Sequence, residues 1–146
     1  MTRNLLLWLL AMTVGVAVGL GVYTFVYARG ASYLTDDPRA CLNCHVMRNE
    51  YDGWVKASHR QAAVCNDCHT PGGLLPKYLS KAYNGMLHSA AFTSGHFPDV
   101  IQLKPYTRAI TERACVNCHA DLVHAIDIRG REPVSCLRCH QQVGHQ

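Results

Sequence analysis

Large aromatic side chains are scarce: three Phe and two Trp stand among 146 residues. At this length a compact interior built from amino acids alone would be thin, so something else must fill it. Basic runs are lacking too. Lys and Arg number 14 against 10 Asp and Glu, for a formal charge of +4, and the two signs are interleaved along the chain. That excludes the basic stripe of a nucleic-acid-binding face; no nucleic acid is expected as a partner. It reads instead as a mildly basic solvated surface. From Asn4 to Ala28 there is no charged side chain at all. What is abundant is cysteine and histidine, with 8 and 9 copies.

The uncharged run LLLWLLAMTVGVAVGLGVYTFVYA is long enough for a hydrocarbon layer that needs about 20 residues. A cleaved signal peptide has a shorter apolar stretch and a small-x-small cleavage site. Tyr27-Ala28-Arg29-Gly30 is a poor site of that kind, so an uncleaved anchor over residues 1–29 is expected. Trp8 near one end, and Tyr23 and Tyr27 near the other, occupy the positions of aromatic belts. Ala11, Gly15 and Gly19 share one helix face, which either admits a neighbouring helix or reflects the ordinary frequency of glycine in membrane helices. Arg3 and Arg29 nearly balance and leave the orientation to other signals.

All eight cysteines fall in four copies of C-x-x-C-H: Cys41, Cys44 and His45; Cys65, Cys68 and His69; Cys115, Cys118 and His119; Cys136, Cys139 and His140. Two thiols three residues apart can add to the two vinyl groups of one porphyrin, and the next residue presents its imidazole to the iron. Structural zinc or a disulfide framework would not require a histidine after each pair. Four covalent haem c groups are therefore expected. Their propionates would engage part of the excess Lys and Arg. Haem attachment of this kind takes place outside the bacterial cytoplasm. The haem domain, residues 30–146, is thus placed in the periplasm, with the N-terminus inside and the anchor in the inner membrane.

Residues 30–40 form a polar neck, with Asp36-Asp37-Pro38 as a turn that starts the first haem helix. Between the second and third motifs lies an insert, residues 70–114. Its segment Leu74 to Phe92 reads as a helix, with Lys77, Lys81, Asn84 and His88 near one face. Gly95, Pro98 and Pro105 then interrupt the pattern. The expected fold is mainly α with much irregular structure and little or no sheet: one transmembrane helix followed by a compact tetrahaem domain. Four irons have up to eight axial positions, and the motifs supply His45, His69, His119 and His140. Of the other histidines, His59 and His124 are favoured as ligands of neighbouring irons, His88 is an even choice, and His96 and His145 are expected to be non-ligands. Met47, two residues after His45, competes with it for the first iron.

The single anchor, the four motifs, the gap between the second and third, the run from Cys41 to Met47 and the insert from Lys77 to Thr93 together resemble the NapC/NirT family of cytochrome c quinol dehydrogenases. Within it they resemble the small membrane subunits of cytochrome c nitrite reductase. The resemblance implies that Met47 binds the first iron, which sits near the membrane surface beside a quinol pocket. It implies that Lys77 flanks that pocket. The family's acidic residue seven positions later falls here on Asn84, a departure, because an amide cannot accept a proton as a carboxylate does. It also implies that one haem is completed by a lysine from a partner subunit.

The function so implied is oxidation of menaquinol or ubiquinol and delivery of electrons to a periplasmic multihaem reductase, such as the catalytic subunit of an ammonia-forming cytochrome c nitrite reductase. Three other expectations stay open: a quinol-oxidising hub for several reductases, a terminal reductase with an open haem, and a passive tethered carrier.

Overall fold

The computed structural model describes residues 2–126 and 135–145. Residues 127–134 and 146, which belong to the expected haem domain 30–146, lie outside the described residues.

An unbroken apolar sequence without proline gives helix α1, Thr2–Tyr27. It is long and apolar enough to cross a membrane, and no residue in it is buried by the rest of the protein. Its two inner hydroxyls do not need water, because Thr13 and Thr24 donate back to the carbonyls of Leu9 and Leu20 at 2.8 and 2.7 Å. Tyr23 and Tyr27 stack at its end with ring centroids 6.0 Å apart. There the chain turns sharply. Arg29 adopts the left-handed conformation (φ 51°), and Gly30 lies so close to the Phe25 ring that a Cβ would come within 2.3 Å of it.

The neck follows as a 3-10 turn, Gly30–Leu34. The turn expected at Asp36-Asp37-Pro38 is present. The Asp37 carboxylate accepts the Arg39 amide at 2.9 Å and opens the 3-10 segment Pro38–Asn43, with Pro38 in its first turn. Helices α2 (Arg48–Lys56) and α3 (Cys65–His69) come next. The expected insert helix is α4, Leu74–Ser94, two residues longer than read from the sequence. Gly95 ends it in the left-handed conformation (φ 73°), and the amides of Gly95 and His96 both bond back to the Ala91 carbonyl. Helix α5 (Pro105–Cys118) starts on Pro105, and α6 (Ala120–Ile126) follows. A last 3-10 turn spans Cys136–Arg138. Among the described residues there is no strand.

The chain's own side chains build almost no interior. Among the described residues the buried apolar ones are Ala40, Ala57, Ile110 and Leu137, joined by Ser80 and Thr111. These few contacts are far too little apolar burial to offset the conformational entropy of ordering a domain of this size. Polar clasps do the positioning instead. Lys81 donates to the carbonyls of Tyr33 and Thr35 at 2.9 and 2.8 Å, and Tyr78 donates to that of Leu34 at 2.7 Å, so α4 is tied to the neck. Helix α3 packs on α5. The Glu112 carboxylate on α5 accepts the Ser135 hydroxyl and the amides of Cys136 (2.8 Å) and Leu137 (3.1 Å), which holds the fourth motif on that helix.

Candidate functional site

Each C-x-x-C pair lies on one turn of helix or 3-10 helix, so both thiols of a pair face the same side. Cys41 and Cys44 close the segment Pro38–Asn43, Cys65 and Cys68 lie on α3, Cys115 and Cys118 end α5, and Cys136 and Cys139 span the last 3-10 turn. None of the eight is joined to another in a disulfide. They report how the motifs adjoin. The adjacent Cys65 thiol, and then the Lys81 charge, draw the Cys41 thiol down to about 7, while Cys65 is pushed up. Burial raises Cys115, and the neighbouring thiols of Cys136 and Cys68 raise it further. The motifs therefore adjoin in chain order, first to second, second to third, third to fourth. Among the described residues no three His, Cys, Asp or Glu side chains gather in the way that holds a metal by protein ligands alone. That arrangement is unlike a thiolate zinc site.

Two imidazole pairs stand out. The rings of His59 and His119 have centroids 6.1 Å apart at 75°, and those of His69 and His145 are 5.9 Å apart at 44°. A metal shared by two imidazoles, with bonds of about 2 Å, sets ring centroids roughly 6 Å apart, and either interplanar angle is acceptable because each ring need only contain the common axis. One ring of each pair has a partner at Nδ1. His145 Nδ1 bonds the Glu50 carbonyl at 2.8 Å, and His59 Nδ1 lies 3.3 Å from the Ser58 hydroxyl. Both arrangements leave Nε2 for an iron. Burial, then the nearby His145 ring, pushes the His69 pKa down to about 4, so that ring is a neutral imidazole. With paired thiols, facing imidazoles and an interior that side chains leave unfilled, the residues present fit covalent haem.

At the neck, Lys77 reaches Asp36 in a very close ion pair, and Lys81 approaches the same carboxylate at 3.5 Å. Asn66, inside the second motif, donates to it at 2.7 Å. The Lys77 and Asn66 hydrogen bonds, with the charges of both lysines, hold the Asp36 carboxyl below the usual carboxylate range. Tyr33 sits over the first motif, its hydroxyl 3.9 Å from Cys44 Sγ. Below the neck an open hollow of about 250 Å³ is lined by Phe25, Val26, Arg29, Gly30, Ala31 and Ser32, where the chain leaves α1. Asn84 does not meet Lys77; it turns back to Ser80 at 3.4 Å.

His45 and Met47 lie in one 3-10 turn beside the first motif. His124 is exposed on α6. His88, on α4, is lowered in pKa by partial desolvation and then by the nearby Lys104. His140 lines an open hollow of about 390 Å³ with Cys139, Gln141, Gln142 and Val143. Two residues here have little signal in the sequence. Asp36 reads there only as part of a turn, and His145 stands at the chain end, far from the motif it faces.

Comparison with known proteins follows the same lines. The NapC/NirT cytochrome c family, N-terminal region, matches residues 2–99. The chain is 36% identical over 142 residues to cytochrome c-type protein NrfH of Wolinella succinogenes, covering 89% of this chain and 80% of that one. It is 33% identical to the cytochrome c nitrite reductase subunit NrfH of Nitratidesulfovibrio vulgaris, covering 86% and 78%. A crystal structure of the cytochrome c nitrite reductase NrfHA complex bound to the HQNO inhibitor superposes with a TM-score of 0.66 at 30% identity, covering 90% and 88%. The family match over residues 2–99, the identity to NrfH and the likeness of fold make this chain, with its one N-terminal apolar helix, a member of the NapC/NirT cytochrome c family.

Proposed function

We propose that the chain is a tetrahaem subunit that oxidises menaquinol or ubiquinol at the membrane surface and passes the electrons to a periplasmic multihaem reductase. The observation that carries this reading is the ammonium–carboxylate pair of Lys77 and Asp36, held beside the first motif where the chain leaves the membrane. Quinol gives up two electrons and two protons. When bound, the haems supply one-electron acceptors. The chain's residues must then handle charge and protons. The Lys77 ammonium faces the oxygen that becomes anionic as a proton leaves. Asp36 is ionised and free to take that proton. Once Lys77 turns to the quinol oxygen, the carboxylate loses the partner that keeps it weakly basic. Asn84 and Ser80 line the same helix face one to two turns away.

For the irons, His69 with His145 would hold the second and His59 with His119 the third. Met47, in place of or beside His45, would hold the first. His140 would hold the fourth, its hollow open to a lysine from the partner. His124 and His88 remain spare donors. The likeness to NrfH supports the catalytic subunit of a cytochrome c nitrite reductase as that partner. Haem attachment supports a periplasmic domain on residues 30–146, with residues 1–29 as an inner-membrane anchor.

Two measurements check this reading. The intact mass should equal the full chain, α1 retained, plus four haems and no free thiol. Loss of residues 2–29, or a smaller haem count, would overturn it. In vesicles, a menaquinol analogue should reduce the haems of the isolated chain. Nitrite should reoxidise them only when a multihaem nitrite reductase is added. Haems that dithionite reduces but the menaquinol analogue does not would leave only the passive carrier. Nitrite turnover by the chain alone would favour the terminal reductase.

A further inference from the structure

Helix α4 is amphipathic the wrong way round for a helix in water. Its inward face, toward the neck, carries Lys77, Ser80, Lys81 and Asn84. Its outward face carries Leu75, Leu79, Tyr83 and Met86, exposed by 70, 62, 50 and 69%. At 3.6 residues per turn these four fall within an arc of roughly 80°, and from Leu75 to Met86 they run about 16 Å along the helix. Ala82, Ser89, Ala90 and Thr93 complete that side, so it holds no charge over its length. A face in water would be charged, and a face against the protein would be covered.

The exposure is not a general property of the haem domain. Among the described residues outside α1, eleven of the sixteen exposed large apolar side chains fall within residues 74–106, the one long segment without an attachment motif. The face also adjoins the membrane. Lys77, Tyr78 and Lys81 bind α4 to residues 33–36, and Leu34 is only seven residues beyond the end of α1. At about 2.0 Å per residue in a 3-10 turn, that is a rise of roughly 14 Å, within reach of the headgroup layer.

We infer that α4 lies on the bilayer, its outward face seated in the boundary between headgroups and acyl chains, continuous with the anchor. Its inward face is thereby held at the depth at which a lipid-borne substrate leaves the acyl region. Such helices bind by burying a modest apolar face in the interface plane. This one lacks the usual flanking cations on its outer side, because its lysines are spent on the neck.

The test uses the full-length, haem-loaded chain in vesicles of phosphatidylcholine and phosphatidylglycerol, doped with a phosphatidylcholine carrying a diazirine on its acyl chain. After illumination, adducts should map to two regions: α1, and Leu75, Leu79, Tyr83 and Met86 of α4. Residues 107–118 should stay unlabelled; Tyr106, whose ring lies 6.0 Å from that of Tyr83, is left out of this comparison. In Leu79→Glu with Met86→Glu, adducts on α4 should fall at least ~10-fold while those on α1 persist and the four-haem spectrum is kept. Adducts confined to α1 in the unmodified chain would overturn the inference. Labelling of α4 undiminished in the double variant would overturn it too, since it would then be collisional. Crosslinks joining α4 of one copy to α4 of another, in place of lipid adducts, would assign the face to a second copy and overturn it as well.

Discussion

His145→Ala should turn one of the four haems from low-spin to high-spin and open it to carbon monoxide, while the other three keep their spectra. The His145 ring sits 5.9 Å from that of His69, and its Nδ1 is tied to the Glu50 carbonyl at 2.8 Å. A hydrogen bond to a carbonyl fixes the tautomer in which Nε2 has a free lone pair, the form an iron takes. His69 is itself neutral, since burial pushes its pKa down to about 4, so that ring need not lose a proton to ligate. Axial ligand identity sets haem potential and spin, so the loss reads out directly in the visible spectrum. Added imidazole should restore the low-spin state by refilling the gap. Glu50→Ala removes the carboxylate 3.5 Å from the same Nδ1 but keeps the shorter bond to the backbone carbonyl, so that variant should stay low-spin. A spectrum unchanged in His145→Ala would remove this residue from the iron and leave its nearness to His69 a packing contact.

Lys77→Met should slow quinol-dependent haem reduction at least about tenfold, a rise of about 1.4 kcal/mol in the barrier, with dithionite reduction unchanged. Asp36→Asn should do the same, and Asp36→Glu should restore most of the rate. The pair is expected to act as one unit. Lys77 lowers Asp36 through a direct hydrogen bond, so removing either changes what the other can do. The double variant should then be little slower than the worse single one. Lys81 provides the contrast. It also touches Asp36, at 3.5 Å, but its stronger bonds go to the carbonyls of Tyr33 and Thr35. Lys81→Met should therefore loosen the neck rather than remove the charge beside quinol. Full additivity of Lys77→Met and Asp36→Asn, or wild-type kinetics in Asp36→Asn, would separate the two residues and end the proton role of Asp36.

Much of this protein was legible before its structure. The long apolar helix is written in an uncharged run, and the pairing of thiols on single turns is written in the C-x-x-C spacing. Helix α4 was legible because its polar residues recur at helical spacing between Gly73 and Gly95. What was not legible depends on long-range contact. His145 faces His69 across 76 positions of chain, and no local pattern links them. Asp36 meets Lys77 across 41 positions and in sequence has only the look of a turn residue. The absent acid at position 84 could be read from the sequence; the carboxylate that stands beside Lys77 could not. The outward face of α4 is a different case. Leu75, Leu79 and Met86 fit the period of an ordinary core face, and only the clasp of Lys77 and Lys81 on the neck shows that this face points away from the protein.

The nearness of the Cys41 and Cys65 thiols bears on haem attachment. These thiols belong to different motifs, and Cys41, drawn down to about 7, is partly thiolate at neutral pH. The thiolate is the reactive form. In an oxidising compartment disulfides form and persist. A Cys41–Cys65 disulfide would take one thiol from each of the first two motifs, so a single oxidation would disable two attachment sites. On the proposed periplasmic placement, a chain exported before its haems are attached would depend on a reductant that acts before, or together with, the attachment machinery. Early loading of the first or second motif protects the other, because a sulfur already bonded to porphyrin can no longer be captured.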